Sequence, residues 1–177
     1  ATGNFAFTQS GSGASAKLLV TATNVAASIG DSTMGVSLTG GSLGMEIYKD
    51  ATSGQSVYAL DASGAVSIYG FGSALQFAVT SADLQVNTTG ATATVNGKTI
   101  NPGGLAFTAS GVTLSIAGFA TIQGSFSFSQ VTTAGVGGAT ATEIQVGATV
   151  TTAFLGTNFG TASQVGVSLT GGHLGLV

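Results

Sequence analysis

The stretch GVSLTGGSLGM, from Gly35 to Met45, returns almost unchanged as GVSLTGGHLGLV, from Gly166 to Val177. The two copies lie 131 residues apart. Such a repeat constrains the fold, because each copy must adopt similar local structure and bury a similar face. How the repeat extends on either side of these segments therefore decides the architecture.

Two further pairs of segments extend the repeat. GNFAFTQ at Gly3 matches GSFSFSQ at Gly124 with an offset of 121 residues, and VTATNVAASIG at Val20 matches VGATVTTAFLG at Val146 with an offset of 126. The offset grows twice by five residues, each time across a Gly/Ser/Thr-rich stretch of the kind in which loops tolerate insertions. Residues from Gly124 onward therefore form a second copy of the segment that begins near Thr2.

A shorter period divides this long repeat. Four segments share a small residue, then Val or Ala, then an alternating apolar run closed by glycine: Val20–Gly30, Ala59–Gly70, Phe107–Gly118 and Val146–Gly156. Each segment follows a strand-like run and a polar loop, and each precedes a third short strand. We therefore predict a single repeat-built β domain over residues 1–177, with units at approximately 2–39, 40–80, 81–122 and 123–170 and a truncated fifth unit at 171–177.

Apolar and polar residues alternate along most of the chain, which indicates half-buried strands. Phe5 and Phe7 share one side of NFAFTQ, and Phe126 and Phe128 share one side of GSFSFSQ. The 29 glycines disfavour helices. These patterns predict an all-β fold with almost no α-helix.

Because one unit of three strands cannot bury its own apolar face, stacked units are the expected solution. We predict a β-solenoid of about four three-stranded repeats of roughly 40 residues, in which equivalent strands of successive units are hydrogen-bonded. Glycines that need positive φ or close backbone approach would occupy the corners: Gly30, Gly70, Gly118 and Gly156. Inward ladders would join Val25, Val66, Val112 and Val150, and beside them Ile29, Ile68, Ile116 and Leu155.

An antiparallel β-sandwich is the alternative architecture. GMEIYK and SVYALD flank the polar stretch DATSGQ and read as an ordinary hairpin. TVNGKTI, from Thr94 to Ile100, contains the Asn-Gly pair that is typical of a two-residue hairpin turn.

Composition excludes several functional classes. Only 5% of the residues are charged, and the three cations are the lysines Lys17, Lys49 and Lys98, without any arginine. Nucleic-acid binding requires clustered basic side chains, so we expect no nucleic-acid partner. The chain has no cysteine, which removes thiol chemistry, and no apolar run long enough for a transmembrane helix.

Candidate chemical groups are few and scattered. His173 is the single histidine, and its counterpart in the first copy is Ser42, so we interpret it as a surface polar residue. The acids are Asp31, Glu46, Asp50, Asp61, Asp83 and Glu143. Glu46, Asp50 and Asp61, with Lys49 between them, read as a solvated hairpin tip rather than a Ca²⁺ site. We predict no catalytic, cofactor-binding or metal-ligating residues, and therefore no cofactor.

One modification motif is present. Asn87-Thr88-Thr89 fits the N-glycosylation sequon, which would place a glycan on a surface loop if the chain meets that machinery. Thr21 and Thr23 alternate, as do Thr92 and Thr94, but their spacing does not recur across the units as a regular ice-binding ladder would.

The segments GVSLTGGSLGMEIYKD, YALDASGAVSIYG, LQVNTTG and FATIQGSFSFSQ resemble repeat units of giant bacterial secreted or cell-surface, adhesin-like proteins. The resemblance covers nearly the whole chain and implies an extracellular or cell-surface, β-rich, non-enzymatic protein. It specifies architecture and brings no catalytic residues.

The expected function is a structural repeat module of a fibre or surface protein that acts by end-to-end stacking and self-assembly, with neighbouring copies or adjacent repeats as partners. The alternative is a binding module for a cell-surface glycan or for ice. Because the fifth unit at 171–177 is truncated, we expect either a longer parent chain or joining of separate copies.

Overall fold

The computed structural model describes residues 1–13, 16–134 and 140–177. About three quarters of the chain is β-strand, and the described residues contain no α-helix, so the predicted all-β class is confirmed. None of the described segments forms a helix with the length and apolar character needed to cross a membrane. The strands are β1 (Thr2–Ser10), β2 (Lys17–Gly30), β3 (Gly35–Lys49), β4 (Ser56–Tyr69), β5 (Leu75–Asn87), β6 (Ala93–Val95), β7 (Lys98–Ile100), β8 (Leu105–Ile116), β9 (Ala120–Ala134), β10 (Thr140–Thr157) and β11 (Val165–Leu176).

Nine of these strands form one sheet in simple chain order, β1-β2-β3-β4-β5-β8-β9-β10-β11, while β6 and β7 form a separate two-stranded hairpin. Every neighbouring pair is antiparallel. The topology follows from the short connections, because a parallel neighbour would require a crossover of a dozen or more residues. The hairpins predicted at DATSGQ and at Asn96-Gly97 are both present.

The predicted hydrogen bonding between equivalent strands of successive units is wrong. Val66 of β4 and Val112 of β8 do lie in one row, but Val79 of β5 separates them. Among the described residues the sheet stays open, without closing into a solenoid. The sheet therefore establishes the all-β class and the antiparallel pairing.

The Gly40-Gly41 pair within GVSLTGG forms a β-bulge. Gly35–Lys49 is one continuous strand whose register with β4 shifts between Thr39 and Ser42. Gly40 has φ of 60° at this point, a conformation that glycine adopts without the steric cost of a Cβ. The predicted boundaries between the units therefore fall within long strands.

Bulges keep apolar residues on one face. Leu38 and Leu43 are five positions apart, so a regular strand would point them to opposite faces. The extra residue at the β3 bulge restores them to the same face, where Leu38 pairs with Val66 and Leu43 with Ala62. Register shifts place such an extra residue in β2, β3, β5, β8 and β10, whereas β4 and β9 run regularly through the same region.

The resulting apolar face crosses the whole sheet. Directly paired residues share a face, and one unbroken row contains a single residue from each of the nine strands. We call it the Phe5 row: Phe5, Ala22, Leu43, Ala62, Leu84, Phe107, Phe128, Val146 and Leu176. Residues on the opposite, polar face are mostly Ser, Thr, Gly, Gln and Asp.

The two copies of the long repeat have the same register on both sides of the bulge but differ within it, because β2 and β3 shift register there whereas β10 and β11 do not. Phe5 pairs with Ala22, and their counterparts Phe126 and Ala148 also pair. Likewise Ala22 pairs with Leu43, and Ala148 pairs with Leu174. In the sheet order, β1, β2 and β3 correspond to β9, β10 and β11, so the repeat spans six strands of the sheet.

Glycine at the strand ends behaves as predicted. The four glycines expected at these positions all have positive φ: Gly30 (133°), Gly70 (91°), Gly118 (64°) and Gly156 (153°). At Gly70 a Cβ would also collide with the carbonyl oxygen of Thr33 in the neighbouring loop, whereas Gly72 (φ 57°) faces open space. Gly70 therefore combines a conformational and a steric requirement.

We expect Gly70→Ala to lower the free energy of unfolding by roughly 2–4 kcal/mol, through left-handed strain plus overpacking. Gly72→Ala, which adds only the conformational strain, should cost about 1 kcal/mol. Urea unfolding followed by circular dichroism measures both. Equal costs for the two variants would contradict the close approach of Thr33 to Gly70.

Candidate functional site

The β6–β7 hairpin covers part of the polar face. Its Ala93, Val95 and Ile100 pack with Ala59 of β4 in a small buried cluster. The turn residues Asn96 and Gly97 have φ of 50° and 72°, as a two-residue type I′ turn requires. The longest connection in the sheet, between β5 and β8, thus folds back as a lid over β4 and β5.

An ion-pair cluster fastens this lid. Asp61 of β4 is only 1% exposed. Its Oδ2 lies 3.0 Å from the Nζ of Lys98, and its Oδ1 accepts a hydrogen bond of 3.1 Å from Asn96 Nδ2. Lys98 also pairs with Asp83 of β5. Lys98 and Asn96 both belong to the hairpin, so the hairpin supplies the groups that compensate the buried charge of Asp61.

The cluster perturbs its lysine. Burial lowers the pKa of Lys98, but the hydrogen bonds to Asp83 and Asp61 and their negative charges outweigh that effect, so the pKa lies above its ordinary value. Lys98 is the one group beside Asp61 Oδ2 that compensates its charge, since no further hydrogen-bond partner lies there among the described residues.

The predicted grouping of three acids at one solvated tip is therefore wrong for two of its members. Asp61 is buried beneath the hairpin, and Glu46 pairs with Lys17 at 2.7 Å. Only Asp50 lies at the exposed tip, where hydrogen bonds from the backbone and side chain of Ser53 lower its pKa. Partners distant in sequence, which a local pattern does not reveal, separate these acids.

Asn87 is not positioned as a surface glycan acceptor. It is 1% exposed, and its Nδ2 donates to the carbonyl oxygens of Ala91 and Ile100, both at 2.8 Å. Its Oδ1 accepts hydrogen bonds from the backbone and hydroxyl of Thr89. The asparagine of the sequon therefore connects β5 to the hairpin through buried hydrogen bonds.

The remaining candidate groups do not converge. His173 lies exposed on β11, with its Nδ1 3.4 Å from Thr149 Oγ1. Asp31 lies in the exposed loop before β3, where hydrogen bonds from the Thr33 hydroxyl and from the backbone of Thr33 and Met34 lower its pKa. Glu143 accepts a hydrogen bond from Gln145. Within the described part of the chain, no three acidic or histidine side chains come together as a metal site would require.

A row in which six of eight residues bear a hydroxyl group, the hydroxyl row, crosses the polar face, and sequence inspection missed it. Its members come from eight strands at unequal spacing, so only the register reveals them. The row is Ser28, Ser37, Ser67, Ala78, Thr113, Gln123, Thr152 and Thr170. Neighbouring members repeat at the strand separation of about 4.8 Å.

The apolar face is exposed over much of its extent. The chain exposes 10483 Å², whereas a compact monomer of its mass exposes about 7,700 Å². Phe5, Leu169, Leu174 and Leu176 are each more than half exposed. An apolar groove of about 300 Å³ lies on this face between Phe5 and Phe107. A surface of this extent indicates an interaction with another layer.

The sheet also has two open edges. Among the described residues, β1 pairs only with β2, and β11 pairs only with β10. Unpaired strand edges present backbone donors and acceptors to any further strand. Within the described part of the chain, the apolar face and these two edges are therefore the surfaces left without a covering layer or a neighbouring strand.

Comparison of the chain with protein-family models, curated proteins and solved structures found no match.

We expect Lys98→Gln to destabilise the protein by about 2–3 kcal/mol, because it leaves the buried Asp61 without its countercharge. Lys49→Gln, which alters an exposed lysine of β3, should cost less than about 0.5 kcal/mol. Adding Asp61→Asn to Lys98→Gln should recover part of the loss. Chemical denaturation of the four proteins tests this, and equal stability of both single variants would contradict a fastening role for Lys98.

The raised pKa of Lys98 also predicts a pH dependence. Its stabilising contribution is complete below the ordinary lysine value of 10.5 and is lost as the pH rises through the higher pKa of the folded state. The stability difference between the wild type and Lys98→Gln should therefore stay constant near neutral pH and shrink above about pH 10.5. Urea titrations across this range measure it, and a difference that grows with pH would contradict the assignment.

Proposed function

We propose that this chain is a structural, non-catalytic repeat module of an extracellular fibre or cell-surface protein, which acts by continuing its sheet into further copies of the repeat. The observation that carries this proposal is the matching register of β1-β2-β3 and β9-β10-β11 on both sides of the bulge. A strand-pairing pattern that recurs from one repeat to the next can be extended by adding further repeats of the same sequence type.

Strand polarity favours continuation by repeats over simple joining of separate copies. In an antiparallel sheet of nine strands, β1 and β11 run in the same direction. If two copies joined head to tail with their apolar faces on one side, β11 would meet β1 in parallel. The six-strand repeat is even, so its continuation keeps every pair antiparallel.

The same proposal supplies the second layer. Directly paired residues, followed from strand to strand, connect Phe5 of β1 with Phe128 of β9. The repeat counterpart of Phe5 is Phe126, which lies two residues before Phe128. Each six-strand repeat is therefore displaced along the strand direction by two residues, or about 7 Å, relative to the one before it. A constant stagger tilts strands against the direction of sheet growth, which favours coiling. A coiled sheet that returns over its apolar face gives the solenoid, and a separate covering sheet gives the sandwich.

The extracellular or cell-surface location belongs to the same proposal. The adhesin-like resemblance supports it, as does a nearly uncharged surface of Ser, Thr and Gly without cysteine. Antibody labelling of intact, unpermeabilised cells of the source organism tests it. Signal only after permeabilisation would overturn the location without affecting the structural role.

The hydroxyl row favours a second candidate function, binding of a cell-surface glycan or of ice. Apart from the gap at Ala78, hydroxyl and amide groups repeat at the strand spacing of about 4.8 Å and present ordered hydrogen-bonding groups to a carbohydrate or a lattice. A glycan array and an ice-recrystallisation assay test this candidate, and no activity in either removes it.

We expect the isolated protein to self-associate, because a second copy that covers the apolar face removes its exposed side chains from water. Analytical ultracentrifugation should show assemblies larger than the monomer, and Phe107→Lys in the apolar groove should shift them toward monomer by at least about tenfold in dissociation constant. Thr108→Lys, the next residue on the opposite face of β8, should leave association unchanged. A wild-type protein that stays monomeric at all concentrations would contradict the proposal.

A further inference from the structure

The internal repeat shows what the outer edge of β11 is built to pair with. β11 is the counterpart of β3, and the edge of β3 that corresponds to the open edge of β11 pairs with β4 along its length. Gly171 of β11 has φ of 70°, close to the 60° of Gly40 in β3, so both strands bulge at the same point. The shape of the open edge is therefore that of a strand already seen with its partner.

We propose that the outer edge of β11 is a docking edge for a β4-type strand supplied by a further copy of the repeat. This inference rests on the proposed function, because it names the partner that continues the sheet. The transferred register is antiparallel: Leu174 faces the position of Ala62, and Val167 faces the position of Ile68, as Leu43 and Val36 do in β3.

Side chains along the edge fit such a partner. In the β3–β4 pair, Ser37 Oγ lies 2.9 Å from Ser67 Oγ, and Ser42 Oγ lies 2.8 Å from Ser63 Oγ. β11 keeps the first of these positions as Ser168 and has His173 at the second. An imidazole both donates and accepts hydrogen bonds, so it can still pair with a partner serine.

Apolar side chains of β11 are more exposed than their counterparts in β3, as expected for a strand without a neighbour on one side. Leu169 is 60% exposed in β11, whereas its counterpart Leu38 is half-buried beside β4. Val167 is 75% exposed, against 43% for its counterpart Val36. A β4-type strand supplies the apolar side chains that cover these positions in β3.

The pairing of β3 with β4 can recur at β11 only as far as the residue before Tyr69, the last residue of β4. In β3, Gly35 lies directly against the ring of Tyr69, but the corresponding Gly166 lies against the ring of Phe154 from β10. Phe154 therefore occupies the side of the edge on which a tyrosine would pack. We expect the docked segment to match β4 from Ala59 to Ile68.

The alternative occupant, β1 of a second copy, fits less well. It would run parallel to β11 in a head-to-tail arrangement, and every pair in the sheet is antiparallel. Pairing of β11 with β11 of a second copy across a two-fold axis is antiparallel, and the experiment distinguishes it.

The test uses the 177-residue protein and a fluorescent peptide of residues 56–69 with a photo-reactive diazirine residue in place of Ala62. Fluorescence anisotropy should show binding at least about tenfold tighter than that of a scrambled peptide or of the β5 peptide, residues 75–87. Irradiation should attach the peptide at or next to Leu174. Of two peptides N-methylated at alternate residues in opposite phases, only one should still bind, because one phase blocks the backbone donors that face β11.

Paired variants on the two edge strands complete the test. Val167→Glu should weaken peptide binding by about tenfold, whereas Phe5→Glu on β1 should not. Labelling of β1, equal binding of the scrambled peptide, or β11–β11 dimers that exclude the peptide would overturn the proposal. Self-association through the apolar face without peptide labelling of β11 would reject this edge assignment alone, and labelling without self-association would reject the proposed assembly alone.

Discussion

The parity of side chains along each strand is the constraint on which the rest of this structure depends. In a regular strand, residues an odd number of positions apart point to opposite faces, and the leucines of GVSLTGGSLGM are five apart. The extra residue at the Gly40 bulge returns both leucines to one face. Repeated across the sheet, this correction produces a single apolar face and a single polar face, and it explains why the glycines recur with the leucines.

The two faces are stabilised in different ways. The apolar face is stabilised by non-directional contacts within its long cross-strand rows, and many of its side chains stay exposed in the single sheet. On the polar face, a directional network around Asp61 and Asn87 holds the β6–β7 hairpin in place. A buried carboxylate is costly unless it is paired, so this network specifies one position for the hairpin, whereas the apolar face accepts any complementary layer.

The sequence predicted what local patterns encode. Alternation predicted strands, Asn96-Gly97 predicted its hairpin, and the glycines at strand ends have the positive φ that was expected. A Gly-Gly pair, however, is compatible with both a corner and a bulge, and only the register decides between them. The burial of Asp61 depends on Lys98, which is distant in sequence, and the hydroxyl row depends on the pairing of eight strands, so neither pattern is visible in any single segment.

The composition of the two edge strands shows what the open edges are suited for. Proteins that must avoid edge pairing usually place lysine or proline there, yet neither β1 nor β11 contains lysine, arginine, an acid or proline. By contrast, Lys17 and Glu46 lie on β2 and β3, which are paired on both sides. Edges without such protection, on a sheet whose register recurs on both sides of the bulge, are suited to being paired. The recurrence of GVSLTGG at β11 is therefore best understood as the point at which the pairing pattern of β3 becomes available a second time.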